Sequence, residues 1–247
     1  MNEAQRQATD WLSGQFEAME ALLQRLVDTD SNSYDKAGVD AVGDLLTAHL
    51  KADGISVERI PVEAFGDVLL AELPGGPGKP VLLLGHRDTV FPKGTTAIRG
   101  YTNDSELAYG PGVADMKGGL VLNCFALKAL KRIGPLPFPV QTLYTGDEEI
   151  GSASARVHIE KYARQARAVL NPEPGRASGN ADHRSQRPRG AFGGQPRRRR
   201  QRDSGPGAQS DQTARADRLC RGHHHQCRTD LGRHLQQYRC TQRHGQA

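Results

Sequence analysis

Four short stretches carry the residues best suited to chemistry: GHRDTVFP from Gly85, YGPGVADMKGG from Tyr109, TGDEEIGS from Thr145 and NPEPGR from Asn171. Each sets a His, Asp or Glu where a strand is expected to give way to a loop or helix, the position at which ligands and catalytic groups gather in open α/β sheets. His86 and Asp88 stand two apart. If strand geometry persists past Gly85 they face the same way, and Asp88 can hydrogen-bond the ring nitrogen of His86 that is not bound to metal, fixing its tautomer. Asp115 directly precedes a predicted helix, so its carboxylate is expected near the positive end of that helix dipole. Glu148 and Glu149 are adjacent; such a pair does not easily bind one cation together, but one can ligate while the other faces the substrate water as a base. Glu173 lies between two prolines. Taken singly, these are a loop histidine beside an acid, a helix cap, a solvated acidic turn and a loop residue. Taken together on one framework, they point to a single metal-centred site.

The elements that must position them follow from periodicity. Trp11, Phe16, Met19, Leu22, Leu23, Leu26 and Val27 recur at three- and four-residue steps and predict one amphipathic helix over residues 3–28. Residues 30–34 read as a polar turn. Val39, Val42, Leu45, Leu46, His49 and Leu50 predict a second helix ending at Asp53-Gly54, with Gly54 in the left-handed conformation. Residues 55–62 and 67–73 read as a hairpin, and the unbroken apolar run 80–84 as a strand buried on both faces and central in its sheet. A polar excursion over 92–105 and a short edge segment through Leu107 and Tyr109 precede a helix over 116–132. A strand over 139–144, a helix over 153–162 and a strand over 166–170 complete the pattern. The fold class expected is α/β: a mixed, mainly parallel sheet flanked by helices.

Composition divides the 247 residues, whose formal net charge is +5, into two regions. Residues 1–176 have the mixed charges and apolar content of a globular α/β protein. Beyond Leu170 there is not one Val, Ile, Met, Trp or Lys, and Arg197 to Arg200 form a run of arginines. Residues 177–247 are therefore expected to be a disordered basic tail, with too little apolar surface to offset the entropy of ordering. Cys124 sits in a predicted buried helix and the other cysteines in the tail, which argues against a disulfide framework. With no apolar run of membrane-spanning length and no basic-then-apolar leader, a soluble cytoplasmic protein is expected.

GHRDTVFP, YGPGVADMKGG and TGDEEIGS, in that order over about Leu22 to Arg176, resemble the di-zinc metallopeptidases that include glutamate carboxypeptidase, aminoacylase, acetylornithine deacetylase and succinyl-diaminopimelate desuccinylase. The resemblance implies the N-terminal part of that family's catalytic domain. It implies that His86 binds one zinc with Asp88 supporting it, that Asp115 bridges both ions, that Glu149 binds the other and that Glu148 is the general base. Glu173 fits the place of a further family carboxylate ligand, although Asn171-Pro172 replaces the usual apolar lead-in. The implied cofactor is Zn2+, two per site, with Co2+ or Mn2+ as substitutes. The implied reaction is hydrolysis of an amide next to a free carboxylate. HRDTVFPKGT is most like the glutamate carboxypeptidase subgroup, so the expected substrate is an N-acyl glutamate or a C-terminal glutamyl peptide; an N-acyl amino acid deacylase is the alternative within the family.

The family continues with a lid and dimerisation domain and then a second metal-binding His, and the present tail matches neither. The run His223 to His225 has no strand or helix context. Shifted by one base, codons for GHHHQCRTDLGRHLQQYRCTQRHGQ can read GITINVGLISGGTSNNTVAPNATGK, and those for AFGGQP can read HSAGNP. Both resemble family segments in family order, so residues 177–247 read as an out-of-frame copy of the family's continuation. The chain would then lack the lid through which the intact family forms homodimers, bind zinc weakly or singly, and show little or no peptidase activity. In the competing reading the arginine-rich tail binds nucleic acid or acidic partners by charge. Phe192 and Tyr238 are the only aromatic residues there for base stacking, so nucleic acid is not the expected partner.

Overall fold

The computed structural model describes residues 1–104, 106–175, 227–230 and 238–240. The N-terminal amphipathic stretch forms two helices where its spacing predicts one, α1 (Glu3–Ser13) and α2 (Phe16–Val27). The break falls at Gly14, whose N–H donates to the Trp11 carbonyl at 3.2 Å, three residues back rather than four. Glycine is the weakest helix former after proline, and both helices bury the same side, so periodicity reports the shared face and misses the interruption. α3 (Lys36–Ala52) ends as expected, with Gly54 at φ 67°.

The chain continues through β1 (Ser56–Ile60), β2 (Val68–Leu73) and β3 (Val81–His86). The short α4 (Thr95–Ile98), β4 (Thr102–Asn103) and β5 (Leu107–Tyr109) follow. α5 (Gly118–Arg132), β6 (Val140–Thr145), α6 (Arg156–Gln165) and β7 (Ala168–Leu170) come next. The main sheet has the order β1-β2-β6-β3-β7. β1 and β2 form the expected hairpin, β2 and β6 are antiparallel, and β6, β3 and β7 run parallel. β3 is paired on both sides, but the middle place belongs to β6. A continuous apolar run signals burial on both faces and does not count neighbours.

Alternation along the strands sorts the core into two layers. Leu69, Ala71, Leu73, Leu83, Val140 and Tyr144 face the layer built by α1, α2, α3 and α5. Val68, Leu70, Leu82 and Leu143 face Ala155 and Tyr162 at and in α6. Helices thus cover both faces, as the sequence predicts. α6 begins at Arg156 rather than Ala153, because the residues ahead of it serve a turn described below.

His49 joins α3 to α5 on the first layer. Its ring lies 5.3 Å from that of Phe125, and its Nε2 accepts from Lys128 Nζ at 3.1 Å while Lys128 pairs with Asp53 at 2.7 Å. Burial, then the charges of Lys128 and Arg25, push the imidazole down to about 4 despite Asp53. A lowered histidine binds fewer protons folded than unfolded, so its contribution is complete above the ordinary value of about 6.5 and is lost as pH falls toward 4. We expect His49→Gln to flatten the fall in melting temperature between pH 7 and pH 4.5. An unchanged slope in that variant would remove His49 as its source.

A second sheet has the order β4-β5-β8-β9, with β8 (Cys227–Asp230) and β9 (Tyr238–Cys240). Apart from these two short segments, the expected disordered basic tail over 177–247 lies outside the described residues. β8 pairs antiparallel with β5, placing Leu107 opposite Asp230. An edge strand offers unpaired N–H and C=O groups that any extended chain can meet through its backbone, whatever its side chains. Among the described residues no helix is long and apolar enough to cross a membrane.

Candidate metal centre

β3 and β6 are parallel and in register, with His86 opposite Thr145, so both release their chains at the same end of the sheet. This brings the first and third motifs together. The ring of His86 is buried. Its Nδ1 lies 3.0 Å from the carbonyl oxygen of Asp88 and 3.4 Å from Asp88 Oδ1. A carbonyl only accepts, so Nδ1 carries hydrogen and Nε2 is the nitrogen turned toward the site. Nε2 stands 3.1 Å from Asp115 Oδ1 and 3.8 Å from Glu148 Oε2.

The carboxylate of Asp88 is engaged mainly elsewhere. Oδ1 accepts from Glu148 N and Oδ2 from Glu149 N, each at 3.1 Å, and Oδ2 also accepts from the Ser33 hydroxyl at 2.7 Å. Asp88 therefore splints the end of β3 to the one-turn 3-10 helix Glu148–Ile150 that follows β6. Asp115 arrives by another route, in a π-helical turn over Val113–Lys117 where its φ of −116° and ψ of 99° are not helical. Met116 and Lys117 separate it from α5, so its expected place at the helix dipole is corrected: the turn, not the helix, aims this carboxylate. Gly112, at φ 70°, opens the turn where a Cβ would lie 2.6 Å from Thr89. Lys117 fastens it by donating to the Thr29 carbonyl at 2.8 Å.

His86, Asp115 and Glu149 each offer a ligand atom, all within 4.8 Å of one another. Asp115 and Glu148 remain open, with side chains 49% and 44% exposed. Glu173 follows β7 on the surface; its charge acts on Glu148, but it stands outside the three-residue group. Burial, then the charges of Asp115, Asp88 and Glu148, push Glu149 up to about 7 against the pull of His86. Glu148 is raised by burial and, against His86, by Glu173, Asp88 and Asp115. Burial would lower His86, yet its bonds to Asp115 and Asp88 hold it well above the usual imidazole range. Half-buried glutamates whose charges, with those of Asp115 and Asp88, crowd around a single imidazole make a donor set that fits a divalent cation.

Residues 82–241 match the peptidase family M20/M25/M40, a stretch that takes in all four motifs. The chain belongs to this family. Carboxypeptidase G2 of Pseudomonas sp. (strain RS-16) is 37% identical to it over 155 residues, 62% of this chain and 37% of that protein. The M20 family metallo-carboxypeptidase Sso-CP2 from Sulfolobus solfataricus superimposes with a TM-score of 0.56 at 25% identity, over 65% of this chain and 38% of that one. Human carnosine dipeptidase 1 shares the fold with a TM-score of 0.59 at 19% identity, over 69% and 41% of the two chains. The chain thus spans well under half the length of each of these relatives.

Within this M20 domain, three residues that shape the site escape a reading by motif. Ser33 lies in the predicted polar turn and anchors Asp88. Arg87, between the two motif residues, is wholly buried. Asp147, beside the glutamates, has an inward carboxylate that accepts amide N–H groups. The one signal for Arg87 and Asp147 is a charge placed directly after an apolar strand; Ser33 gives none.

Proposed function

We propose that the site is a zinc-dependent amide hydrolase centre of the glutamate carboxypeptidase type, cleaving an amide next to a free carboxylate. The observation that carries this reading is the convergence of His86, Asp115 and Glu149, with Glu148 at their side, where β3 and β6 end. His86, Asp115, Glu149 and Glu173 would hold the metal, with Asp115 shared between two ions. Bound zinc would acidify a water and polarise the scissile carbonyl. Glu148 would serve as the general base through Oε2, a role suited to a half-exposed carboxylate whose affinity for protons is raised. Asp88 keeps Nδ1 of His86 protonated through its carbonyl and holds the Glu148 and Glu149 amides through its carboxylate. By the resemblance of HRDTVFPKGT to the glutamate carboxypeptidase subgroup, an N-acyl glutamate or a C-terminal glutamyl peptide is the first substrate to try.

Residues 177–247 are, on this reading, a shifted frame of family sequence. Its support is that one shift of the frame yields HSAGNP and then INVG and ISGGT, family-like segments in family order, from a stretch of arginine-rich, lysine-free sequence. The lid and the distal metal-binding His are then not encoded in this frame. Sequencing the gene from the codon for Asn171 onward is expected to reveal one inserted or deleted base that restores INVG and ISGGT. The purified chain is expected to bind zinc weakly and to turn over little or no substrate, and hydrolysis of a glutamyl amide at ordinary enzyme rates would refute the second half of the proposal.

A further inference from the structure

Asp147 stands between β6 and the Glu148–Ile150 turn and is 1% exposed. Its Oδ2 accepts from Ser154 N at 2.6 Å and Ala155 N at 3.2 Å, and its carbonyl accepts from Ser152 N at 2.7 Å. Gly151 N donates to the Glu148 carbonyl at 2.8 Å, and Gly151 and Ser152 reverse the chain at φ 93° and 54°. Residues 147–155 are thereby closed into a loop stapled on one carboxylate. Its far end, Ala155, is packed in the second core layer with Leu143 and Tyr162.

We propose that Asp147 is a positioning residue for the metal centre: with Asp88 holding the Glu148 and Glu149 amides from β3, Asp147 fixes the same turn from the α6 side. The proposal rests on reading His86, Asp115 and Glu149 as metal ligands. Glu149 belongs to that group only while its backbone stays within a few tenths of an ångström of its place, and ligands borne on turns hold such precision only when supporting hydrogen bonds lock them. Asp88 alone leaves the outgoing half of the turn free to swing about the Glu149 amide. Oδ1 of Asp147 is buried without a hydrogen-bond partner among the described residues. An apolar residue would avoid that burial, so what the carboxylate contributes is its pair of bonds to Ser154 and Ala155.

The full chain, Asp147→Ala and Asp147→Asn are compared by Co2+ titration in visible absorption and by amide hydrogen exchange without metal. Asp147→Ala is expected to weaken Co2+ binding by about 10- to 100-fold. It should also speed exchange at Glu148 and Glu149 by about tenfold, leaving Leu143 unchanged. Asp147→Asn keeps an oxygen for both amides and is expected to restore both readouts. Wild-type behaviour of Asp147→Ala in the exchange experiment overturns the proposal. So does an Asp147→Asn as impaired as the alanine variant, since charge rather than position would then be at work. If the parent chain takes up no Co2+, the ligand reading fails, and the exchange comparison decides the role of Asp147 by itself. Should Asp147→Ala lose protection at Leu143, Asp147→Ser replaces it, with slower exchange than alanine expected and equal exchange counting against the proposal.

Discussion

His86→Ala is expected to lower the affinity for Co2+ or Zn2+ by about 100-fold or more, roughly 3 kcal/mol, measured by calorimetric titration of the metal-free chain near neutral pH. His86 supplies the one neutral-capable ligand in a group that is otherwise anionic, and its Nε2 is already turned to the site by the bond from Nδ1 to the Asp88 carbonyl. A ligand held this way loses little freedom on binding, so most of its intrinsic affinity is realised. Glu173→Ala provides the contrast. Glu173 is outside the three-residue group, so its loss should be felt several-fold less than that of His86. Equal effects of the two substitutions would move the ion toward β7 and away from the Glu149 side.

His86, Glu148 and Glu149 were legible because they sit where β3 and β6 end, and strands are legible from apolar runs. Pairing of β3 with β6 then follows from their being parallel neighbours, and it carries His86 to within reach of Glu148. The hairpin β1–β2 and the stop at Gly54 were equally open to a reading by local chemistry. What escaped was set by tertiary context. The split at Gly14 leaves the buried face unbroken, so no periodicity marks it. The π-helical turn that aims Asp115 resembles the start of α5 in sequence, because Val113 and Met116 are buried whether the turn is helical or not. The carboxylate of Asp88 could be assigned to the His86 ring by spacing alone; only the fold shows that the backbone of Glu148 and Glu149 lies nearer.

Arg87→Ala is the substitution expected to do most damage to stability, about 3–5 kcal/mol, because it strips donors from a buried network. Arg87 is 0% exposed, and its guanidinium donates to the carbonyls of Val39 at 3.1 Å, Thr145 at 3.3 Å and Asp67. Burial lowers it to about 10, partly offset by Asp40, Asp67 and Asp88, so it remains charged at neutral pH. One side chain thus ties α3, the entry to β2 and the end of β6 to the residue between His86 and Asp88. Asp40 is not orphaned by the loss, since Lys36 pairs with it at 2.9 Å, which places the expected cost nearer the lower end of the range. Gly43 lends a second, independent test. A Cβ there would overlap the Arg87 guanidinium, so Gly43→Ala should destabilise the parent chain strongly. In the Arg87→Ala background the same methyl group enters vacated space, and its penalty should shrink by more than about 1 kcal/mol in urea denaturation. Additive effects would mean that Gly43 answers to helix packing rather than to the arginine. A loss below about 1 kcal/mol for Arg87→Ala itself would show that water replaces the guanidinium at the three carbonyls, and that the strand ends bearing His86 and Glu148 are held together without it.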